Sequence, residues 1–295
     1  MWQQIRFLTC AQKADWISDF LLENGALSVE LLDADANTPL EAPQFDEPGE
    51  VAQLWKNVAI LSLWNNTEDF SNAIKQAPEG IFEKNFSFTV ENLPNENWVE
   101  KTQAQFQPIE ITKDFWIVPT WCNAVPNAKI LLTLNPGMAF GTGSHPTTHL
   151  CLEWLAQNVK ENDRILDYGT GSGILAIAAA KMKAGEIIAV DIDENALIAA
   201  RQNAMQNHIN NITFLNANQK IDGQFDIVVA NILANPLRLL APVLCSHVKE
   251  NGGALILSGI LESQADELIG IYAPFVALSR EKAQQSWAIL AGRKS

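Results

Sequence analysis

Two stretches of this chain carry residues whose types and spacing suit chemistry on a small ligand. The first is Asp167-Tyr168-Gly169-Thr170-Gly171-Ser172-Gly173, which follows the apolar pair Ile165-Leu166 and runs into Ile174-Leu175-Ala176-Ile177. A strand that enters glycines and leaves as a helix makes a sharp turn, and a nucleotide-type ligand sits at such a strand end. A dinucleotide fingerprint needs its third glycine five positions after the first, but Ile174 stands there. The glycines fall instead at 169, 171 and 173. No G-x-x-x-x-G-K-S/T loop is present, so nucleoside triphosphate hydrolysis has no support. Asp191 lies 22 residues beyond Gly169, where an acid accepts hydrogen bonds from both hydroxyls of a ribose. Asp193 reads as the N-cap of a helix that begins at Glu194. Asp167 either holds the glycine loop or faces the ligand.

The second stretch ends a strand, Phe225-Asp226-Ile227-Val228-Val229-Ala230, with Asn231-Ile232-Leu233-Ala234-Asn235-Pro236. An Asn at a strand end can hold a nucleophilic nitrogen through its side-chain oxygen. Asn231 is the candidate catalytic residue on this reading. Asn235-Pro236 suits a helix start, with Asn235 as cap and Pro236 at the first position. Upstream, Gly141-Thr142-Gly143-Ser144 repeats the tetrapeptide Gly169-Thr170-Gly171-Ser172. Pro146 then suits the first turn of a helix capped by His145 or Ser144. The N-terminal NH groups and Thr hydroxyls of that helix are expected to face the pocket of the later glycines, with the earlier copy as a lid and the later copy as a floor. Phe140 and Met138 either belong to a core or cover the ligand. His145 and His149 lie four apart, but no third ligand is near, so no metal is expected.

These groups need elements to position them. From Arg164 the chain alternates strands and helices, with strands at Arg164–Tyr168, Glu186–Val190, Asn211–Leu215, Phe225–Ala230 and Ala254–Ser258. Helices at Gly173–Lys183 and Glu194–Asn207 fall between them, and such connections predict a parallel, doubly wound sheet. Phe275–Leu278 and Ser286–Ala291 lie close enough for an antiparallel hairpin at one edge. Residues 1–93 read β-α-β-β-α-β, the order of a ferredoxin-like sandwich. Its strands are Gln3–Thr9, Ala26–Leu32, Val58–Trp64 and Phe86–Val90, and its helices are Asp15–Asn24 and Glu68–Ala77. Residues 94–108 form a connector helix in this reading, capped by Asn97 and carrying Trp98, Thr102 and Phe106 on one face. Two further strands, Ile109–Val118 and Lys129–Leu134, make a small β extension over 109–134. The catalytic domain then spans 109–295.

Hydrophobic residues make up 47% and charged residues 18% of the chain, as expected of a soluble protein with a real core. Its longest apolar run, Ile174–Ala180, is too short to span a bilayer. The N-terminus MWQQIRFLTC lacks the apolar core of a signal peptide. Cys10, Cys122, Cys151 and Cys245 form no CxxC pair and read as free thiols in a reducing compartment. Residues 1–93 hold five Lys/Arg against fifteen Asp/Glu, a net charge of −10, whereas the remainder carries −4. That acidic front end disfavours direct nucleic-acid binding and attracts a basic partner.

The tight glycine spacing, the seven strands and the reversed final strand resemble the class I methyltransferases that use S-adenosylmethionine (SAM). Amino methyltransferases of this class often carry Asn/Asp-Pro-Pro-Tyr/Phe at the fourth strand; this chain keeps the Asn and lacks the double proline and the aromatic. The segments GMAFGTGSHPTTHLCLEWL, ILDYGTGSGILAIAAAKMKAGEIIAVDID and VVANILANPLRLLAP together resemble the PrmA family, the methyltransferases of ribosomal protein L-eleven. The resemblance covers nearly the whole chain, including the acidic N-terminal unit and the connector with Trp98. It implies a bacterial cytoplasmic enzyme that moves methyls from SAM to lysine ε-amines and the N-terminal α-amine of that large-subunit protein. It implies cofactor contacts at Thr148, Gly169, Asp191 and Asn231, and the loop reading adds Gly171 and Phe140. It assigns substrate recognition to the N-terminal domain. One departure is Thr170, where many relatives carry Cys. The chain is expected to act as a monomer with no membrane partner, and the sequence nominates no dedicated general base.

Overall fold

The computed structural model describes residues 2–36, 38, 55–82, 86–93, 107–122, 125–126, 128–135 and 143–295. Most of the connector helix expected over 94–108 lies outside these residues, as do Met138, Phe140, Gly141 and Thr142. Contacts divide the chain into two units, Met1–Thr102 and Gln103–Ser295.

The first unit runs β1 (Trp2–Cys10), α1 (Ala11–Glu23), β2 (Ser28–Asp33), β3 (Asn57–Trp64), α2 (Thr67–Lys75) and β4 (Thr89–Leu93). Its sheet has the order β2-β3-β1-β4, antiparallel throughout. Alternation along β1 buries Ile5 and Phe7, and the spacing along α1 buries Ala14, Ile17 and Leu21 against them. The Asn66 side chain caps α2 by accepting the Asp69 N–H at 2.9 Å. The fourth strand begins three residues later than Phe86. Phe86 packs its ring on Phe7 and Phe82, with centroids 5.0 and 4.6 Å apart, and Phe88 packs on Phe70 at 4.8 Å. Ring packing takes these residues, and pairing with β1 starts at Thr89.

The second unit opens with a three-stranded sheet, β5 (Ile109–Thr112), β6 (Phe115–Val118) and β7 (Ile130–Thr133). The single strand expected over Ile109–Val118 is broken by a turn at Lys113-Asp114 into an antiparallel pair. After α3 (Pro146–Asn158) come β8 (Ile165–Tyr168), α4 (Ile174–Lys181), β9 (Ile187–Asp191), α5 (Glu194–Gln206), β10 (Ile212–Asn216), β11 (Ile227–Asn231), α6 (Ala234–His247), β12 (Ala254–Leu261), α7 (Ala265–Tyr272), β13 (Ala277–Gln284) and β14 (Trp287–Arg293). The sheet order is β10-β9-β8-β11-β12-β14-β13. The first five strands in that order are parallel, and β14 runs antiparallel to both neighbours. Successive residues of β11 serve opposite cores. Ile227 and Val229 pack with α3 and α4, while Val228 and Ala230 pack with α6 and α7. A strand buried on both faces reads as an unbroken apolar run.

The last hairpin is longer than expected. Its polar segment Ser279–Gln284 is exposed yet paired to β14, and it turns on Gln285 and Ser286, both at positive φ. It is an edge strand, where charged side chains such as Arg280 and Lys282 face water and block further pairing. Arg280 is anchored by Glu262 and Asp266 at 2.7 and 3.1 Å.

Tyr272 fastens α7 to α6: it is fully buried, and its hydroxyl donates to the Leu237 carbonyl at 2.7 Å. Tyr272→Phe keeps the ring and deletes one buried hydrogen bond, so urea denaturation is expected to register a loss of about 1 kcal/mol. A change below a few tenths would show the bond to be energetically idle.

Candidate active site

The carboxyl ends of β10, β9, β8 and β11, with the middle of β12 beside them, carry a row of polar residues. Pairing aligns Asn216 with Asp191 and Asn231 with Ser258. Tyr168 is aligned with both Val190 and Ala230, so Gly169 stands one step further, between Asp191 and Asn231. One transverse row therefore reads Asn216, Asp191, Gly169, Asn231, Ser258. Neighbouring strands lie ~4.8 Å apart, so Asp191 and Asn231 flank the glycine loop from opposite sides.

The loop is tied down by backbone bonds. Gly169 and Thr170 both donate to the Val190 carbonyl, at 2.8 and 2.9 Å. Gly169 has φ +80°, and a Cβ there would lie 2.2 Å from Cγ2 of Ile232. Only glycine meets both demands. Asp191 grips the loop from the next strand: one carboxylate oxygen accepts the Gly171 N–H at 2.8 Å, the other the Asp193 N–H at 3.0 Å. Each oxygen keeps a lone pair for a further donor. Asp193 in turn caps α5 by accepting the Asn195 N–H at 2.9 Å, as its spacing suggested.

Asp167 is fully buried. Its Oδ2 accepts the Thr170 hydroxyl at 2.6 Å and the Ala176 N–H at 3.1 Å. Its Oδ1 has no hydrogen-bond partner. Burial pushes the carboxyl from an ordinary 3.8 up to about 7; the two hydrogen bonds oppose this and the charge of Asp191 adds to it. One oxygen thus holds the loop, and the other, which carries the proton when the carboxyl is neutral, has no protein partner.

Thr148 and Asn231 come together although 83 residues separate them. Asn231 Nδ2 donates to Thr148 Oγ1 at 3.3 Å, and Thr148 is fully buried in the first turn of α3. Asn231 Oδ1 is buried and unpartnered, an acceptor held in readiness. His145 caps α3: its Nδ1 lies 2.8 Å from Thr147 Oγ1 and accepts the Thr147 N–H. Burial lowers the His145 pKa, which keeps the ring neutral and able to accept. His149 turns instead toward Glu153, at 3.7 Å. Among the described residues no group of three His, Cys, Asp or Glu is placed to hold a metal. A Cβ on Gly143 would lie 2.2 Å from Cδ1 of Ile117 and 3.3 Å from Cδ1 of Ile174, so the end of the first GTGS copy packs against β6 and the start of α4. Phe140 lies outside the described residues.

Two features escaped the sequence reading. Ser258 is fully buried within β12, just before its bulge, and its hydroxyl is placed to donate to the Ala288 carbonyl at 3.1 Å, with the Thr147 carbonyl at 3.5 Å as a second acceptor. Its place at the end of the strand expected over Ala254–Ser258 was the available signal. The helix start at Asn235-Pro236 is also displaced: α6 begins at Ala234, and Asn235 accepts a hydrogen bond from Arg238 instead of capping. Pro236 is still tolerated in the first turn, where its missing N–H has no partner to lose. Cys151, behind the site, is no nucleophile, since burial pushes its thiol up to about 12.

The residues present fit SAM. Asp191 offers acceptors for two ribose hydroxyls, and Asp167 Oδ1 is a buried polar atom without a hydrogen-bond partner. The Asp167 carboxyl has a clear pH signature. Its folded-state pKa is raised, so the native state binds a proton that the unfolded state releases, and stability falls as pH rises from about 4 to about 7. Asp167→Asn is expected to flatten that slope by about 1 kcal/mol per pH unit, read from urea midpoints between pH 5 and 8. Parallel pH profiles for the two proteins would rule out the raised value.

The family model described as Ribosomal protein L11 methyltransferase (PrmA) matches residues 1–295. The chain is 48% identical over 295 residues to the ribosomal protein L11 methyltransferase of Dechloromonas aromatica, covering 99% of each. It is 44% identical to the protein of that name from Neisseria meningitidis serogroup A, again over 99% of each. The solved ribosomal protein L11 methylase of Lactobacillus delbrueckii subsp. bulgaricus superposes with a TM-score of 0.59 at 34% identity, over 64% of this chain and all of that one. With its fold, its strand-end row and these likenesses, the chain belongs to the ribosomal protein L11 methyltransferase (PrmA) family of SAM-dependent methyltransferases.

Proposed function

We propose that this chain methylates ribosomal protein L11 on lysine ε-amines and on its N-terminal α-amine, with Asn231 holding the incoming nitrogen. The observation that carries the assignment of Asn231 is its buried, unpartnered Oδ1 one strand away from the glycine loop. SAM, when bound, supplies a methyl on a positively charged sulfur, so no covalent enzyme nucleophile is needed.

The chain's own residues have three tasks. Asp191, Gly169, Gly171 and Asp167 hold the cofactor. Thr148 takes one end of the Asn231 amide, which leaves the other end as an acceptor for an amine N–H. The amine must lose its proton to attack, and free lysine has a pKa of about 10.4 and an α-amine of about 7.7–8.0. Transfer into a poorly hydrated site beside a cationic sulfur lowers either value. A neutral carbonyl acceptor such as Asn231 suits a neutral amine better than a carboxylate would, because a carboxylate stabilises the ammonium form. Positioning then carries the rate.

The first unit is assigned to substrate recognition, and the domain boundaries at 93 and 108 accompany that assignment. Its net charge of −10 over residues 1–93 suits a basic protein partner. No helix among the described residues is long and apolar enough to cross a membrane, and a ribosomal-protein substrate is what suggests a cytoplasmic place of action.

Incubation with methyl-labelled SAM and purified large-subunit ribosomal proteins is expected to label L11, with mass spectrometry locating the methyls on lysines and the N-terminus. Label on another protein, or on none, overturns the assignment. Asn231→Ala is expected to lower turnover roughly ten- to hundredfold while the Kd for SAM moves less than about threefold. Unchanged turnover would remove Asn231 from the chemistry.

A further inference from the structure

Ile232 follows Asn231 directly and is held between the loop after β8 and the bulge within β12. Its side chain fills the space where Gly169 has no Cβ: Cγ2 lies 2.2 Å and Cβ 3.7 Å from that point. Its backbone fills the equivalent space at Gly259, where a Cβ would lie 2.4 Å from the Ile232 carbonyl oxygen, 2.7 Å from its carbon and 2.9 Å from its nitrogen. Gly169 and Gly259 have φ of +80° and +84°, a region closed to most side chains. Gly259 sits where the pairing of β12 with β14 slips between Leu257 and Ile260, a bulge that swings the strand toward Ile232. Ser258, the preceding residue, anchors the bulge to β14 through Ala288 and to α3 through Thr147.

We infer that Ile232 is a positioning residue, a spacer clamped between the cofactor loop and the β12 bulge, which sets the height of the Asn231 acceptor over that loop. It touches neither reacting atom. The clamp has two halves with different chemistry. The Gly259 side constrains backbone only, so it is indifferent to the side chain at 232. The Gly169 side requires a methyl branching from Cβ, because the contact is made by Cγ2. Valine keeps that branch, whereas leucine, of the same volume as isoleucine, moves its branch one carbon further out. A residue that merely filled a core would rank its replacements by volume and tolerate leucine well. A spacer ranks them by the branch at Cβ.

The inference rests on the role proposed for Asn231, and the experiment separates the two. Ile232→Val, Ile232→Leu and Ile232→Ala are compared with the wild-type chain by turnover on L11, by calorimetric Kd for SAM, by thermal melting and by the side-chain amide NMR signal of Asn231. Valine is expected to keep turnover within about twofold, and leucine and alanine to lower it by about tenfold or more with SAM affinity changed less than about threefold. The Asn231 amide signal is expected to move in the leucine and alanine variants and to stay in the valine variant, whether or not L11 proves to be the substrate. Leucine matching or surpassing valine in turnover, or an Asn231 signal unmoved by leucine, overturns the clamp. Loss of label from L11 in the wild-type chain bears on the substrate alone.

Discussion

Everything at the site depends on the close approach of backbone at Gly169. The loop folds back so tightly that two consecutive N–H groups reach one carbonyl, that of Val190. This brings the cofactor loop into the register row of the sheet, between Asp191 and Asn231. A side chain at 169 would collide with Ile232 and push the two walls of the site apart. The position therefore sets the spacing between the glycine loop and Asn231, the residue proposed to hold the amine.

Around this constraint the polar groups divide their capacity in a consistent way. Asp167 gives one oxygen to the loop and keeps the other unpartnered. Asp191 gives each oxygen one backbone N–H and keeps a lone pair on each. Asn231 gives its amide nitrogen to Thr148 and keeps its oxygen. In each case half of the group fixes its orientation and half is left for a ligand, so little rearrangement is needed when the ligand arrives. Unsatisfied buried acceptors reduce the stability of the folded chain, and a bound ligand that supplies the donors recovers that loss.

The supporting elements follow from the same geometry. Helix α3 must present Thr147 and Thr148 to the end of the sheet, and it does so with His145 as cap and Pro146 in its first turn. Ser258 bonds that turn to β12 and, through Ala288, to β14. The antiparallel β14 lies between β12 and the edge strand β13. It fixes the strand whose bulge reaches Ile232.

Much of this was legible along the chain. The three alternate glycines, Asp191 at its spacing, Asp193 as a cap and Asn231 at a strand end are local features, governed by turn geometry and by where strands stop. The alternation of strands and helices from Arg164 onward marked a parallel, doubly wound sheet. What only the tertiary structure decided involves distance along the chain or exclusion of water. Thr148 meets Asn231 across 83 residues, and no local rule pairs them. The polar run Ser279–Gln284 reads as loop until β14 supplies its partner. The height of the Asp167 pKa comes from burial by elements that the motif itself does not contain. Ile232 and Gly259 look like ordinary residues in sequence, because a clamp between two strands exists only once both strands are packed. Local covalent geometry writes the motifs; desolvation and close packing, which need the assembled fold, decide what each of them can do.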